Sequence, residues 1–257
     1  MDSTLILTCL AIVTASSSLA ALGLLAVRRF VKAESLKASH EVGGYLLSIV
    51  GTIYAVVLGL VVVDATAKYQ QAMTITEQEA NCLADIYLLS NQYPEKKKEV
   101  IHDLCRAYAR QLVDQEWKLM NCSRQCPQTQ GTALELMQAV CDFEPATEKE
   151  IAIYPITVQE ACSLWDNRRA RINLATHGMP MVEWVTLLVG GSLTIAFTYF
   201  FAINSLRTQL LMTVIVTTIT SLNLYLVYVF AHPFSGLLRV TPDAIELDRS
   251  IFEKVNR

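Results

Sequence analysis

Four long apolar runs decide what this chain can be. A helix needs roughly 20 residues to cross a hydrocarbon core of about 30 Å. The runs at residues 5–27, 45–63, 182–203 and 210–231 are of that length, and they predict four transmembrane helices. A signal peptide is the alternative for the first run. No basic residue precedes it, however, and Arg28 and Arg29 follow it, the reverse of the usual leader pattern, so it is read as a retained span. Composition agrees: 53% of the 257 residues are hydrophobic, 18% are charged and mean hydropathy is +0.35, too apolar for an ordinary soluble domain. With 21 basic against 24 acidic side chains there is no surplus to neutralise a phosphate backbone, which excludes nucleic acid as a partner. The expected fold class is an all-α integral membrane protein with a helical soluble domain inserted between the second and third spans.

The expected organisation is spans 1 and 2 over residues 1–63, the soluble domain over 64–180, spans 3 and 4 over 181–231, and a C-terminal tail over 232–257. Tyr69, Met73, Thr76, Ala80, Leu83, Tyr87 and Ser90 step by four and three, the spacing of a helical seam. No proline lies between Tyr45 and Tyr93, so the second span is expected to run on into this seam as one helix ended by Pro94. A second amphipathic helix is expected over residues 95–120, with Val100, Ile101, Leu104, Tyr108, Leu112 and Leu119 inward. Residues 121–131 read as a loop, after which Thr132, with Glu135 three residues on, caps a helix closed by Pro145. A further helix is expected after Pro155, its face marked by Val158, Cys162, Trp165 and Arg169, with Gly178 and Pro180 at its stop. No strand-period alternation is long enough to suggest a sheet.

Basic residues set the expected orientation. Arg28, Arg29, Lys32, Lys37 and Arg207 favour a domain outside; Lys68, Arg168, Arg169, Arg171, Arg239, Arg249, Lys254 and Arg257 favour a domain inside, and the larger set places it in the cytoplasm of the cell membrane. The domain cysteines Cys82, Cys105, Cys122, Cys126, Cys141 and Cys162, with Cys9 in the first span, read as helical thiols. Disulfides and, for the Cys122/Cys126 pair, zinc are the alternatives, although no second pair at zinc spacing exists. No metal site, cofactor or catalytic residue is expected, since nucleophile-elbow, phosphate-loop, zinc-protease and dinucleotide patterns are all absent. His40, His102, His177 and His232 read as loop or span-end residues in solvated or capping roles.

Two spans carry unusual stripes. On the second, Gly44, Ser48, Gly51, Ala55 and Gly59 recur at intervals of four and three, so another helix can approach closely, either within one bundle or across a subunit or pore interface. On the fourth, Thr213, Thr217, Thr220 and Ser221 share one arc, a face that borders water or bonds back to its own helix. Asp64 and Glu183 stand at span ends; repeated around an oligomer they would form acidic rings that favour cations. No span carries a charge at its centre, which speaks against a proton relay or coupled transporter.

The run Gly51-Thr52-Ile53-Tyr54-Ala55-Val56-Val57-Leu58-Gly59, then Glu79-Ala80 with Leu83, Glu116-Trp117, Arg168-Arg169 and Pro233-Phe234-Ser235-Gly236 resemble the motif series of a bacterial membrane family described as a bestrophin-like domain of unknown function. The resemblance spans residues 42–248. It implies a ring of subunits, five in number, each with four transmembrane helices and a cytosolic helical domain, enclosing an ion pathway. The constriction pattern of bestrophins proper has no residue-by-residue counterpart here. Two function classes follow. One is an oligomeric channel passing small ions through the bilayer, lined by the second span with Tyr54, Val57, Asp64 and Glu183 as candidates. The other is a non-conducting membrane scaffold that holds partners through its helical domain.

Overall fold

The computed structural model describes residues 3–30, 40–121, 124–201 and 205–254; Lys32, Lys37, Cys122 and Arg257, named above, and the last two residues of the 182–203 run lie outside them. The side chain of His40 is likewise outside the description. Among the described residues the regular structure is helical, and four helices are long and apolar enough to cross a membrane. The chain divides into two compact units. The first comprises Met1–Ala67, Met179–Ala231 and Gly236–Leu238; the second comprises Lys68–Gly178, His232–Ser235 and Arg239–Arg257.

The first unit contains α1 (Ser3–Phe30), the opening part of α2 (His40–Leu89), α7 (Met181–Tyr199) and α8 (Leu206–Phe230). As anticipated from the absence of proline, α2 is one unbroken helix that contributes to both units. Apolar contact adds little between helices in lipid, so packing there rests on close approach and hydrogen bonds. Both are present. Hydroxyls pair along α1 and α8 at Thr8–Tyr225 (2.8 Å), Ser16–Ser221 (2.7 Å) and Ser17–Thr218 (3.3 Å), and the Arg28 Nε donates to Gln209 Oε1 at 2.8 Å. Rising numbers on α1 meet falling numbers on α8, so the two run antiparallel. Close approach falls at Gly190 and Gly191 of α7, where a Cβ would stand 2.6 Å and 2.8 Å from the Tyr54 side chain, and at Gly23, where it would stand 2.8 Å from the Tyr199 hydroxyl.

The second unit contains the rest of α2, a 3-10 turn (Ser90–Gln92), α3 (Glu95–Gln111), a π turn (Leu112–Glu116), α4 (Trp117–Met120), α5 (Pro127–Cys141), α6 (Glu148–Thr176) and α9 (Asp243–Lys254). Its main core gathers Leu83, Ile86, Ile101, Tyr108, Leu112, Leu136, Val140, Leu164 and Phe252. Four local expectations are corrected. Thr132 does not cap a helix: α5 starts five residues earlier at Pro127, because proline at the first helical position lacks only an N–H that would be unpaired there, and the Thr132 hydroxyl instead donates to Gln111 Oε1 at 2.9 Å. Pro155 does not begin α6, which starts at Glu148 behind a reciprocal cap in which Thr147 accepts from the Glu150 N–H and Glu150 accepts from the Thr147 N–H. The inner face of α6 is Thr157, Ala161, Leu164, Arg168 and Arg171, one residue displaced from the expected Val158, Cys162 and Arg169 face. On α3, likewise, His102 and Cys105 are buried while Val100 is 48% exposed. His102 is therefore a core residue: its ring stacks on Tyr87 at 3.7 Å, and burial lowers its pKa. Most of the C-terminal segment belongs to the second unit, where Phe252 of α9 stacks on Tyr87 at 4.1 Å.

Candidate pore-lining face and buried charge cluster

Within the first unit α2 has two distinct faces. Tyr54 and Leu58 are 8% exposed and Ala65 is 3% exposed, packed with Leu187 and Val227. The Tyr54 hydroxyl donates to the Leu187 carbonyl at 3.2 Å, and its ring fills the space opened by Gly190 and Gly191. That position makes Tyr54 a packing residue of the bundle. Val57 is half-buried beside it, and Asp64 is exposed. Glu183, in the first turn of α7, is half-buried, and its Oε2 has no hydrogen-bond partner among the described residues. On the other face Ile49, Ile53, Val56, Leu60 and Val63 are between 57% and 68% exposed.

The small-residue stripe belongs to this open face. A Cβ on Gly51 or on Gly59 would meet nothing within 4 Å, Ala55 is exposed, the Ser48 hydroxyl donates to the Gly44 carbonyl at 3.1 Å, and a Cβ on Gly44 would meet only the Phe201 ring at 3.9 Å. Packing within the bundle therefore does not account for Gly51 and Gly59. The hydroxyl stripe of α8 is the opposite case. Thr213, Thr217, Thr220 and Ser221 are at most 7% exposed: Thr217 donates to the Thr213 carbonyl, Thr213 pairs with Thr198 at 3.2 Å, and Ser221 pairs with Ser16. Of the two readings of this face, bonding back to its own helix describes Thr217, while Thr213 and Ser221 join α8 to α7 and α1 inside the unit.

A feature that sequence reasoning missed lies in the second unit. Glu79 of α2, Glu116 of the π turn, and Arg168 and Arg171 of α6 are all between 0% and 3% exposed and share one network. The Arg171 Nε donates to Glu79 Oε2 at 2.6 Å, and its Nη2 donates to Glu79 Oε1 at 2.9 Å and to Glu116 Oε1 at 2.8 Å. The Arg168 Nη2 donates to Glu116 Oε2 at 2.6 Å, and the Tyr108 hydroxyl donates to Glu79 Oε1. Two carboxylates and two guanidiniums sum to zero, the condition under which charges can leave water without a prohibitive desolvation cost. Burial alone would lower the Arg171 pKa, but Glu79 and Glu116 more than reverse that and hold the guanidinium charged. The Tyr108 hydroxyl is pushed well above its usual range by burial and then by Glu79, so it remains a donor.

Local sequence sets these positions. The π turn widens the helix by one residue and brings Glu116 inward beside Leu112; π turns of this kind recur where a side chain must be re-aimed. Trp117 follows, with the Arg171 guanidinium 5.4 Å from its ring and Phe234 edge-on at 5.8 Å. The motif residues Glu79, Glu116, Trp117, Arg168 and Phe234, scattered along the chain, thus converge around Arg171. Their sequence signal was a charge at a core spacing: Glu79 stands three residues beyond Thr76 in the seam, and Arg168 and Arg171 continue the Thr157, Ala161, Leu164 stripe. Among the described residues the cysteines are free thiols, and no three His, Cys, Asp or Glu side chains gather to hold a metal ion.

The fold is that of an all-helical membrane protein with four helices apolar and long enough to span a bilayer, and its second unit is organised around a neutral, buried charge cluster. The sequence matches the Bestrophin-like domain over residues 14–245, and the chain belongs to that family. Solved structures of a bacterial bestrophin homolog from Klebsiella pneumoniae share the fold. One carrying a mutation superposes with a TM-score of 0.72 at 12% identity, covering 95% of this chain and 98% of that one. A second mutant gives 0.71 at 14% identity over 95% and 99%. The homolog solved by Zn-SAD phasing gives 0.70 at 14% identity over 95% and 98%. Among curated proteins no sequence match is found.

Proposed function

We propose that this chain assembles with copies of itself into a closed ring in the lipid bilayer, five by the family resemblance, and passes small ions passively along the axis. One observation carries the reading: the open face of α2, where Gly51, Ala55 and Gly59 permit close backbone approach that no helix among the described residues makes. A neighbouring copy is the partner that completes it. The pathway follows α2, with Val57 and Asp64 as lining residues and Glu183 at its mouth, while Tyr54 braces the helix from behind through Leu187. The absence of a charge at the centre of any span favours passive flow over coupled transport, and rings of Asp64 and Glu183 favour cations. The second unit and both termini face the cytoplasm, where its cysteines stay reduced.

Images of detergent-solubilised particles test assembly, and recording from purified protein in planar bilayers across voltage, calcium and pH tests conduction. Closed rings with current are expected, with cation preference reduced in Asp64→Asn and assembly unchanged. Well-folded oligomers without current would leave the scaffold function in its place. The exposed thiols of Cys141 and Cys162 report orientation: their labelling by a membrane-impermeant reagent in intact cells would reverse the topology.

A further inference from the structure

We propose that a cleft along the C-terminal half of α6 binds the oxyanion group, carboxylate or phosphate, of a small organic anion. The cleft lies within the second unit, has a volume of about 560 Å³, and is lined by Arg168, Arg169, Trp165 and Asp166 together with Gln125 just before α5 and Gln130 in its first turn. That volume suits a metabolite and is too large for a single bridging water.

The case rests on Arg168. It is 3% exposed, its Nη2 is committed to Glu116 at 2.6 Å, and its Nε is buried with no hydrogen-bond partner among the described residues. Arg171 differs: its Nε and Nη2 both donate to carboxylates and its Nη1 meets the Met120 sulfur. The two arginines share Glu116, so Arg168 has only part of one carboxylate for its charge. A buried guanidinium N–H without an acceptor is costly, and the group that satisfies it best is an oxyanion, which matches the planar donor array of arginine. Arg169 is exposed on the same cleft and adds a second positive charge, against the single acid Asp166 among the residues named. Gln125 and Gln130 supply neutral amide donors, and the Trp165 ring, 6.0 Å from the Arg168 guanidinium, gives the organic part of the ligand an apolar wall. The carboxylate–guanidinium network behind Arg168 holds its fork rigid, so little side-chain freedom is lost on binding.

Isothermal titration of the detergent-solubilised full-length protein, at constant ionic strength set by chloride, tests the site with inorganic phosphate and with malonate as probes. Saturable binding of at least one is expected, weakened at least about tenfold in Arg169→Gln, which removes a cleft charge without touching the buried network. Arg168→Lys keeps the buried charge but lacks the Nε donor, and where it folds it is expected to weaken binding further. Binding of phosphate alone assigns the site to phosphoryl ligands, malonate alone to carboxylates, and both to the shared oxyanion chemistry. No saturable heat with either probe, or equal affinity in wild type and Arg169→Gln, overturns the proposal. Binding is read without ion current, so the result stands apart from conduction.

Discussion

The two units solve the problem of burying polar groups in opposite ways. The first distributes neutral hydroxyls in pairs, Thr8 with Tyr225, Ser16 with Ser221 and Thr198 with Thr213, and leaves its large apolar side chains facing outward. The second gathers apolar side chains inward and joins four buried charges and a tyrosine in one network. The difference is the one expected of a first unit in lipid and a second in water, the arrangement proposed above. Lipid rewards no apolar burial, so many weak hydrogen bonds and close backbone contacts hold helices together. Water rewards apolar burial strongly, so a core can carry one costly but rigid charge network at its centre.

The sharpest way to break this contrast is to remove the central charge. Arg171→Leu leaves Glu79 with no cation, only the Tyr108 hydroxyl, and Glu116 with Arg168 alone, and should cost about 3–5 kcal/mol, seen as a large fall in the unfolding midpoint of purified protein. A mild effect would mean that the network is not the keystone of the second unit. Next in size are paired glycine substitutions in the first unit. Gly190→Leu drives a side chain into the Tyr54 ring and should cost about 1–3 kcal/mol of subunit stability. Gly51→Leu or Gly59→Leu points into open space, so subunit stability should hold while the oligomer mass in detergent falls. Unchanged mass in both would show that the stripe is not an assembly face.

A pH-dependent effect of up to about 3 kcal/mol, spread over about two pH units, concerns a buried acid in the second unit. Asp248 on α9 is 8% exposed, its Oδ2 has no partner among the described residues, and burial followed by nearby Asp85 pushes its pKa up to about 6 from 3.8. Because the folded value lies above the unfolded one, the folded protein keeps this proton where the unfolded chain has lost it. The stability it contributes is full below about pH 4 and is lost as pH rises through about 6. Asp248→Asn should flatten the midpoint over that window and raise it above pH 6. The smallest change is expected from Ser16→Ala, about 0.6 kcal/mol, the mean worth of one such hydrogen bond between membrane helices. A loss as large as that of Arg171→Leu would erase the distinction between the units.

Legibility in the sequence varied with the kind of signal. The spans and the unbroken α2 were readable because run length and absence of proline are one-dimensional properties. The start of α6 was also written in the chain, as Thr147 and Glu150 at capping distance, but Pro155 was the louder local cue and drew the boundary away. Helix faces were harder. On α6 a displacement of one residue, about 100° of rotation, exchanged Arg168 for Arg169 between core and surface, and on α3 His102 took the core place expected of Val100, two residues back. A stripe of hydroxyls reads the same whether it borders water or a neighbouring helix, so only the position of α1 revealed the use of Thr213 and Ser221.

The sequence by itself determined that this is a helical membrane protein of the bestrophin-like type, because apolar run length and motif order need no knowledge of neighbours. Tertiary structure alone decided which polar residues are structural and which face outward. Glu79, Glu116 and Arg171 stand far apart on separate helical segments, and their charges become tolerable only once folding brings opposite signs within hydrogen-bond distance in a place that water has left.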